Sequence, residues 1–391
     1  MPYLYRPDLI LAPAGTGAAD VERLNRVLRA AGLGAALGPP ATGGTASLAV
    51  LPVTGADPRA IRDELRRARG RGEELPELTP DFQYAVDTIG DHPRATDWFY
   101  YASGKRTGHS AFAWLSAPGY AMPEPEPWPP AGRPPVVALL DSGVDAHDWL
   151  PEPGRGIPFC VDATAHGWRP DVPVPGMASD QQPDPADRDR DRDRDRDRDQ
   201  DREPRLGGYF GHGTFLAGII RRVAPAAQVL SLRVMDDHGQ VSIGNVAKAL
   251  AWLANQEVDV VLMAFGCQPD QDPAGQDEVR AALLRLAGRE IPVVVSAGNH
   301  GSDQPVYPAA YAADPDLSVI SVGARVSPTA RAPFSNHGVW VRKWRNGSHA
   351  LSLMPLTTKD TGAAGYAWWS GTSFAAAGYA AERATSVACR P

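Results

Sequence analysis

Short apolar runs rich in valine alternate with stretches of helical periodicity between residues 136 and 322. The apolar runs cover residues 136–140, 228–234, 258–265, 292–296 and 319–322. The helical stretches between them cover residues 214–220, 243–254 and 276–287. Apolar runs without polar alternation are typical of strands buried on both faces, as in a parallel sheet that is covered by helices. The pattern therefore predicts an α/β domain over residues 135–391.

Residues 1–88 have a different pattern, which predicts a small α+β domain. Strand-like runs cover residues 8–12, 46–53 and 82–86, and helical periodicity covers residues 20–31 and 57–69. A further strand before Pro39 would complete a β-α-β-β-α-β order, as in ferredoxin-like domains. Any other small α/β module fits this pattern equally well.

Two further segments have no helical or strand periodicity. Residues 89–134 contain a proline-rich run at 122–130, which predicts an extended linker. Residues 187–198 alternate strictly between aspartate and arginine, inside an insertion that we place at about 180–205. This run has no apolar side chain to offset the entropy of ordering, so we expect a disordered insertion. A specific recognition arm is the alternative.

Composition excludes several classes of function. The net charge of −7 gives no basic surface for nucleic acid. The first residues lack a signal-peptide pattern, and no run approaches the roughly 18 apolar residues that span a bilayer. We therefore expect a cytoplasmic protein with no membrane partner. Cys160, Cys267 and Cys389 are too scattered for a disulfide framework or a metal site, so we expect free thiols.

Four polar residues lie where an α/β sheet presents functional groups. Asp141 and Asn299 each follow a predicted strand, His212 lies in a glycine-rich turn before an apolar helix, and Ser373 precedes an alanine-rich helix. Singly, each has a structural interpretation as a turn residue, a loop histidine or, for Ser373, a helix N-cap. Together they supply a nucleophile, its base, a group that orients the base and an oxyanion donor, which is what acyl transfer needs.

The four segments resemble the functional motifs of subtilisin-like serine proteases. Asp141 in Asp-Ser-Gly-Val-Asp, His212 in Gly-His-Gly-Thr, Asn299 in Ala-Gly-Asn and Ser373 in Gly-Thr-Ser-Phe-Ala-Ala occur in the order of that family. The resemblance implies a subtilisin-like, mostly parallel sheet flanked by helices. It also implies a serine endopeptidase with Asp141, His212 and Ser373 as its catalytic triad, and with Asn299 in the oxyanion hole.

The same resemblance implies the substrate and partners. Protein or peptide substrates would pair along two backbone segments, composed of Ala264, Phe265 and Gly266 and of Ser296, Ala297 and Gly298. No cofactor is implied; calcium binding stays open, although no 12-residue calcium-loop pattern is present. Residues 1–88 resemble an inhibitory propeptide and would act as an intramolecular inhibitor or chaperone.

The chain departs from the family pattern at several positions, and two other functions remain open. Phe215 stands where the family usually has a second histidine, Ala377 where it has a proline, and Phe265 within its Ser-Leu-Gly edge. A catalytically inactive peptide-binding module is the main alternative. An esterase of the α/β-hydrolase type would need Gly-x-Ser-x-Gly around the nucleophile, and Ala375 occupies the last position of that motif.

Overall fold

The structure is a computed structural model that describes residues 5–13, 15–40, 48–85, 113–115, 133–147, 149–150, 159–170, 211–236, 239–267, 274–355 and 365–388. The predicted insertion at about 180–205, most of the predicted linker and Cys389 lie outside these ranges. The predicted domain boundaries stay predictions.

The N-terminal part forms a β-α-β-β-α-β unit in the described residues. Its elements are β1 (Tyr5–Pro13), α1 (Ala18–Ala30), β2 (Ala36–Leu37), β3 (Leu48–Thr54), α2 (Pro58–Gly70) and β4 (Thr79–Ala85). The strands lie in the order β2-β3-β1-β4 and every neighbouring pair is antiparallel. Helix α2 begins where the sequence predicts, because the Asp57 carboxylate accepts the Arg59 N–H at 2.7 Å and Pro58 occupies the first helical position.

The two faces of β1 contribute to different cores. Ile10 and Ala12 are buried among the apolar residues of α1, α2 and β3. Leu9 and Leu11 belong instead to the large core that continues through the rest of the chain. Successive side chains of a strand point to opposite faces, so one face of this sheet is covered by its own helices and the other by the C-terminal part.

The C-terminal part consists of β5 (Ala113–Leu115), β6 (Val136–Asp141), β7 (Cys160–Asp162), α3 (His212–Val223), β8 (Gln228–Arg233), β9 (Gln240–Ser242), α4 (Ile243–Leu253), β10 (Val260–Met263), α5 (Ala274–Ala287), β11 (Val293–Ser296), β12 (Val319–Arg325), β13 (Lys343–Asn346), β14 (Ala350–Leu353), β15 (Tyr366–Trp369) and α6 (Thr372–Ala388). Short 3-10 turns cover Ala163–His166 and Ala309–Ala313.

Seven of these strands form one parallel sheet, in the order β13-β12-β11-β10-β6-β8-β7. Every residue of β6, β10 and β11 is buried, as the uniformly apolar runs predict. The predicted α/β domain with a parallel sheet is therefore confirmed. Among the described residues, no helix is both long enough and apolar enough to cross a membrane.

Short strands that the sequence did not predict connect the parts of the chain. Strand β9 pairs antiparallel with β4, so the N-terminal sheet gains a fifth strand from the C-terminal part. Strand β5 lies within the predicted linker and pairs antiparallel with β15, which also pairs with β14. The C-terminal part therefore adds a strand to the N-terminal sheet, and the linker adds a strand to the β14–β15 pair.

Candidate active site

Asp141 is the last residue of β6, where the strand leaves the sheet. Its side chain is 0% exposed, and Oδ1 accepts the N–H of Ser142 at 2.8 Å. Its carbonyl oxygen accepts the N–H groups of Val234 and Met235 at 2.9 and 3.2 Å. These bonds fix the position of a buried carboxylate, which requires a hydrogen-bonding partner.

That partner is His212, the first residue of α3. Its Nδ1 lies 2.9 Å from Oδ1 and 3.0 Å from Oδ2 of Asp141, and its side chain is 1% exposed. A carboxylate only accepts hydrogen bonds, so Nδ1 carries the proton. In the neutral ring, Nε2 is then the nitrogen with the lone pair.

Glycine and threonine residues hold the start of α3 against the Asp141 turn. Gly211 has a φ of 76°, and a Cβ at that position would lie 2.4 Å from Pro355 Cδ. A Cβ on Gly213 would lie 2.1 Å from the carbonyl oxygen of Gly143, so only glycine allows this close approach. The hydroxyl of Thr214 accepts the N–H of Asp145 at 2.9 Å.

An aromatic cluster surrounds the imidazole of His212. The Trp369 ring lies edge-on at 5.4 Å from it and the Phe374 ring lies at 5.8 Å. Phe215 packs against both rings, at 5.5 Å from Trp369 and 4.6 Å from Phe374. The phenylalanine that replaces the family's second histidine is thus a core residue. Trp369 and Phe265 are buried, whereas Trp368 is 37% exposed.

Ser373 is the second residue of α6, which begins at Thr372. The predicted position of Ser373 at a helix start is therefore confirmed. Its side chain is buried and Oγ donates a hydrogen bond to the carbonyl oxygen of Ala264 at 3.2 Å. Helices α3 and α6 pack against each other, and Phe374 contacts the His212 ring directly. The serine is thus one residue away from a side chain that contacts the imidazole.

The side-chain amide of Asn299 is oriented by Thr372. Its Oδ1 accepts hydrogen bonds from the N–H of Thr372 at 2.8 Å and from the Thr372 hydroxyl at 2.9 Å. The same hydroxyl accepts the N–H of Gly298 at 3.1 Å. Because Thr372 holds the oxygen, the N–H groups of the amide are on the opposite side of the side chain.

The predicted substrate-binding residues lie at the ends of neighbouring strands. Ala264, Phe265 and Gly266 follow β10, while Ser296 ends β11 and is followed by Ala297 and Gly298. Their binding of substrate stays a prediction. The sequence did not indicate Asn336, whose Nδ2 donates to Ala297 O at 3.0 Å and whose Oδ1 accepts the N–H of His300 at 3.0 Å. This buried amide fixes the loop that carries Asn299.

The C-terminal part of the chain is similar to known proteins. Residues 132–387 match the profile of Peptidase_S8, the subtilase family. The chain belongs to the subtilase family. It is 29% identical over 174 residues to subtilisin BL of Lederbergia lenta, covering 42% of this chain and 58% of that protein. It is 31% identical over 174 residues to the thermophilic serine proteinase of Bacillus sp. (strain AK1), covering 42% of this chain and 39% of that protein.

Two further similarities are to a third curated relative and to a solved structure. Thermitase of Thermoactinomyces vulgaris is 30% identical over 175 residues, which are 42% of this subtilase and 57% of thermitase. The crystal structure of a cold-adapted subtilisin-like serine proteinase aligns with a TM-score of 0.45 at 22% identity, covering 69% of this chain and 78% of that one. This subtilase thus spans about two fifths to three fifths of the length of the curated relatives named here.

Metal-ligand groups and cysteines in the described part of this subtilase complete the description of the site. No group of three or more histidine, cysteine, aspartate or glutamate side chains there is arranged to hold a metal ion. Neither Cys160 nor Cys267 is part of a disulfide bond. Burial, with a smaller contribution from Asp162, raises the pKa of the Cys160 thiol to about 12. Cys160 therefore stays protonated near neutral pH and is a poor nucleophile.

Proposed function

We propose that this subtilase is a serine endopeptidase that hydrolyses peptide bonds through Ser373. The observation that carries the proposal is the buried pair of Asp141 and His212, with Nδ1 at 2.9 and 3.0 Å from the carboxylate oxygens. When a carboxylate accepts the Nδ1–H of a histidine, Nε2 is the nitrogen that acts as the base for a serine hydroxyl. The packing of α3 against α6 supports Ser373 as that serine.

In the proposed mechanism, His212 Nε2 takes the proton of Ser373 Oγ as the oxygen attacks the carbonyl carbon of the substrate. His212 then donates this proton to the leaving amine, and an acyl-enzyme ester remains on Ser373. Asp141 accepts the Nδ1–H throughout and stabilises the imidazolium by its negative charge. Water then attacks the ester carbonyl while His212 takes its proton, and His212 returns this proton to Ser373 Oγ as the acyl group leaves.

The tetrahedral oxyanion is stabilised by two donors, the Asn299 side-chain amide and the backbone N–H of Ser373. The latter is one of the first N–H groups of α6, which lack partners within the helix and lie at the positive end of its dipole. The substrate is a protein or peptide in extended form along residues 264–266 and 296–298. Hydrogen bonds to the backbone of these segments do not require a particular side chain, so Phe265 is compatible with this role.

Fluorophosphonate labelling tests the proposal directly. The full chain should be labelled at Ser373, and the Ser373→Ala variant should not be labelled. Ser370→Ala is a matched control, because Ser370 is a buried serine on the same turn whose Oγ accepts the N–H of His349 at 2.9 Å. Labelling that persists in Ser373→Ala, or a wild-type chain without labelling, would refute the assignment. The second result would favour the peptide-binding module.

We further propose that the N-terminal unit is an intramolecular inhibitor and folding chaperone of this site. Backbone pairing connects it to the catalytic acid in three steps. Met235 donates its N–H to Asp141 O, Met235 pairs with Val241 in an isolated bridge, and Val241 pairs with Tyr84 of β4. Strand β4 of the N-terminal unit is therefore three backbone pairings away from the Asp141 backbone.

A further inference from the structure

His147 connects two parts of the site that are far apart in sequence. It lies six residues after Asp141 and is 6% exposed. Its Nε2 lies 2.9 Å from the carbonyl oxygen of Gly365, and its Nδ1 accepts the N–H of Trp149 at 3.1 Å. Because Nδ1 accepts a hydrogen bond, Nε2 carries the proton and donates it to Gly365 O. Both ring nitrogens are used.

Gly365 is the residue before β15, and its carbonyl oxygen accepts hydrogen bonds from two parts of the chain. The same oxygen accepts the N–H of Met354, next to β14, at 2.8 Å. The next residue, Tyr366, begins β15 and lies edge-on to the His147 ring at 5.7 Å. Strand β15 ends at Trp369, which contacts the His212 ring, and α6 follows with Ser373 in its first turn. A displacement of Gly365 would therefore shift both Trp369, which contacts the His212 ring, and the segment that precedes Ser373.

The loop that carries His147 also contacts the helix of the catalytic base. The N–H of Asp145 donates to the Thr214 hydroxyl at 2.9 Å, and that hydroxyl lies 3.2 Å from the Asp145 carboxylate. Thr214 is two residues after His212. The loop after Asp141 thus bonds to α3 through Asp145 and to the residue before β15 through His147. This loop therefore contacts both the helix that carries His212 and the strand that leads to Ser373.

We propose that His147 is a positioning residue, which aligns the Ser373 segment with the Asp141–His212 pair through its hydrogen bond to Gly365 O. This inference rests on the proposed peptidase function. The predicted substrate-binding residues follow β10 and β11, whereas Gly365 precedes β15. Loss of the hydrogen bond should therefore lower kcat and leave KM nearly unchanged.

Two variants of the full chain separate the two hydrogen bonds of His147. Glutamine places an amide N–H near the position of Nε2 and preserves the bond to Gly365 O. Asparagine places an acceptor near the position of Nδ1 and preserves only the bond from Trp149 N–H. We expect His147→Asn to lower kcat about 10- to 100-fold, with KM within about threefold of wild type, because small errors in alignment have effects of that order. His147→Gln should restore kcat to within about threefold of wild type.

The control variant is His166→Asn, which changes an exposed histidine of a 3-10 turn. Amide hydrogen exchange should be faster at residues 366–369 in His147→Asn than in His147→Gln. Equal turnover of the two variants in a chain whose wild type is labelled by fluorophosphonate would overturn the role of His147 alone. A wild type without labelling would overturn the proposed function, and the positioning role of His147 with it.

A measurement without any change at His147 covers the case in which His147→Asn does not fold. In the Ser373→Ala chain, nitrogen chemical shifts of the His147 ring should show a protonated Nε2 and an unprotonated Nδ1. An unprotonated Nε2 would exclude the hydrogen bond to Gly365 O and overturn the proposal.

Discussion

Thr372 determines which end of the Asn299 amide faces the site. Two hydrogen bonds from Thr372 hold Asn299 Oδ1, and both residues are buried. We expect Asn299→Ala to lower kcat by roughly 10²–10³, the loss that removal of one oxyanion donor causes in subtilisin. Thr372→Val removes the hydroxyl but keeps the backbone donor, so the amide keeps one of its two bonds. Its loss in kcat should be about tenfold.

Steady-state kinetics on a peptide substrate measures both effects. Thr385→Val is the matched control, since the Thr385 hydroxyl donates only within α6, to Ala381 O at 3.1 Å, and the residue is exposed. Unchanged turnover in Asn299→Ala would contradict the oxyanion role. A Thr372→Val variant with the full loss of Asn299→Ala would show that the hydroxyl, rather than the backbone N–H, orients the amide.

The residues with proposed chemical roles stand in local motifs that the sequence reveals, and the residues that support them do not. Asp141, His212, Asn299 and Ser373 each follow a strand or begin a helix, so position and residue type together indicated them. The support comes from partners that are distant in sequence. Asn299 and Thr372 are 73 residues apart, and His147 and Gly365 are 218 residues apart. A single sequence contains no signal for such pairs, because each residue looks like an ordinary loop or turn residue.

Strands that are buried on both faces were predictable from the sequence, whereas exposed or very short strands were not. Strands β6, β10 and β11 are buried on both faces and therefore read as continuous apolar runs. Strand β13 is an edge strand with the sequence Lys-Trp-Arg-Asn and no fully buried residue. Strand β9 has three residues and exists through its pairing with β4. Backbone pairing of this kind does not depend on an apolar pattern, so it was invisible in the sequence.

The two faces of β1 allow docking of the N-terminal unit to be changed without disturbing its own core. Leu11 belongs to the core shared with the C-terminal part, and a Cβ on Gly244 of α4 would lie 3.3 Å from Leu11 Cδ2. Leu11→Asp places a charge in this contact, which costs several kcal/mol if the contact stays closed. We expect the unit to separate from α4 and the uncleaved chain to react faster with a fluorophosphonate.

The labelling rate is measured from the labelled full-length band. It is divided by the folded fraction, which circular dichroism measures. Leu11→Met is the control, because it keeps the volume and the apolar contact. An unchanged or slower labelling rate in Leu11→Asp would contradict the proposal that the docked N-terminal unit restricts access to Ser373.

At the scale of the whole molecule, strand pairing fixes the chain on both sides of residues 86–112. Ala85 ends β4, which pairs with β9 near Asp141, and Ala113 begins β5, which pairs with β15 before Ser373. Removal of the N-terminal unit by a cut between these strands would leave β5 in the catalytic part. A cut beyond residue 115 would remove a strand from the segment that leads to the nucleophile.

We therefore expect self-cleavage within residues 86–112. Intact-mass analysis of the wild-type chain should give a product that begins in this range, whereas Ser373→Ala should keep its full length because it lacks the nucleophile. Mixing the Ser373→Ala chain with a small amount of wild type distinguishes cleavage within one molecule from cleavage between molecules, since only the latter shortens the variant. A product that begins after residue 115 and retains full activity would show that β5 is dispensable. The same shortening in pure Ser373→Ala would assign the cut to a contaminating protease.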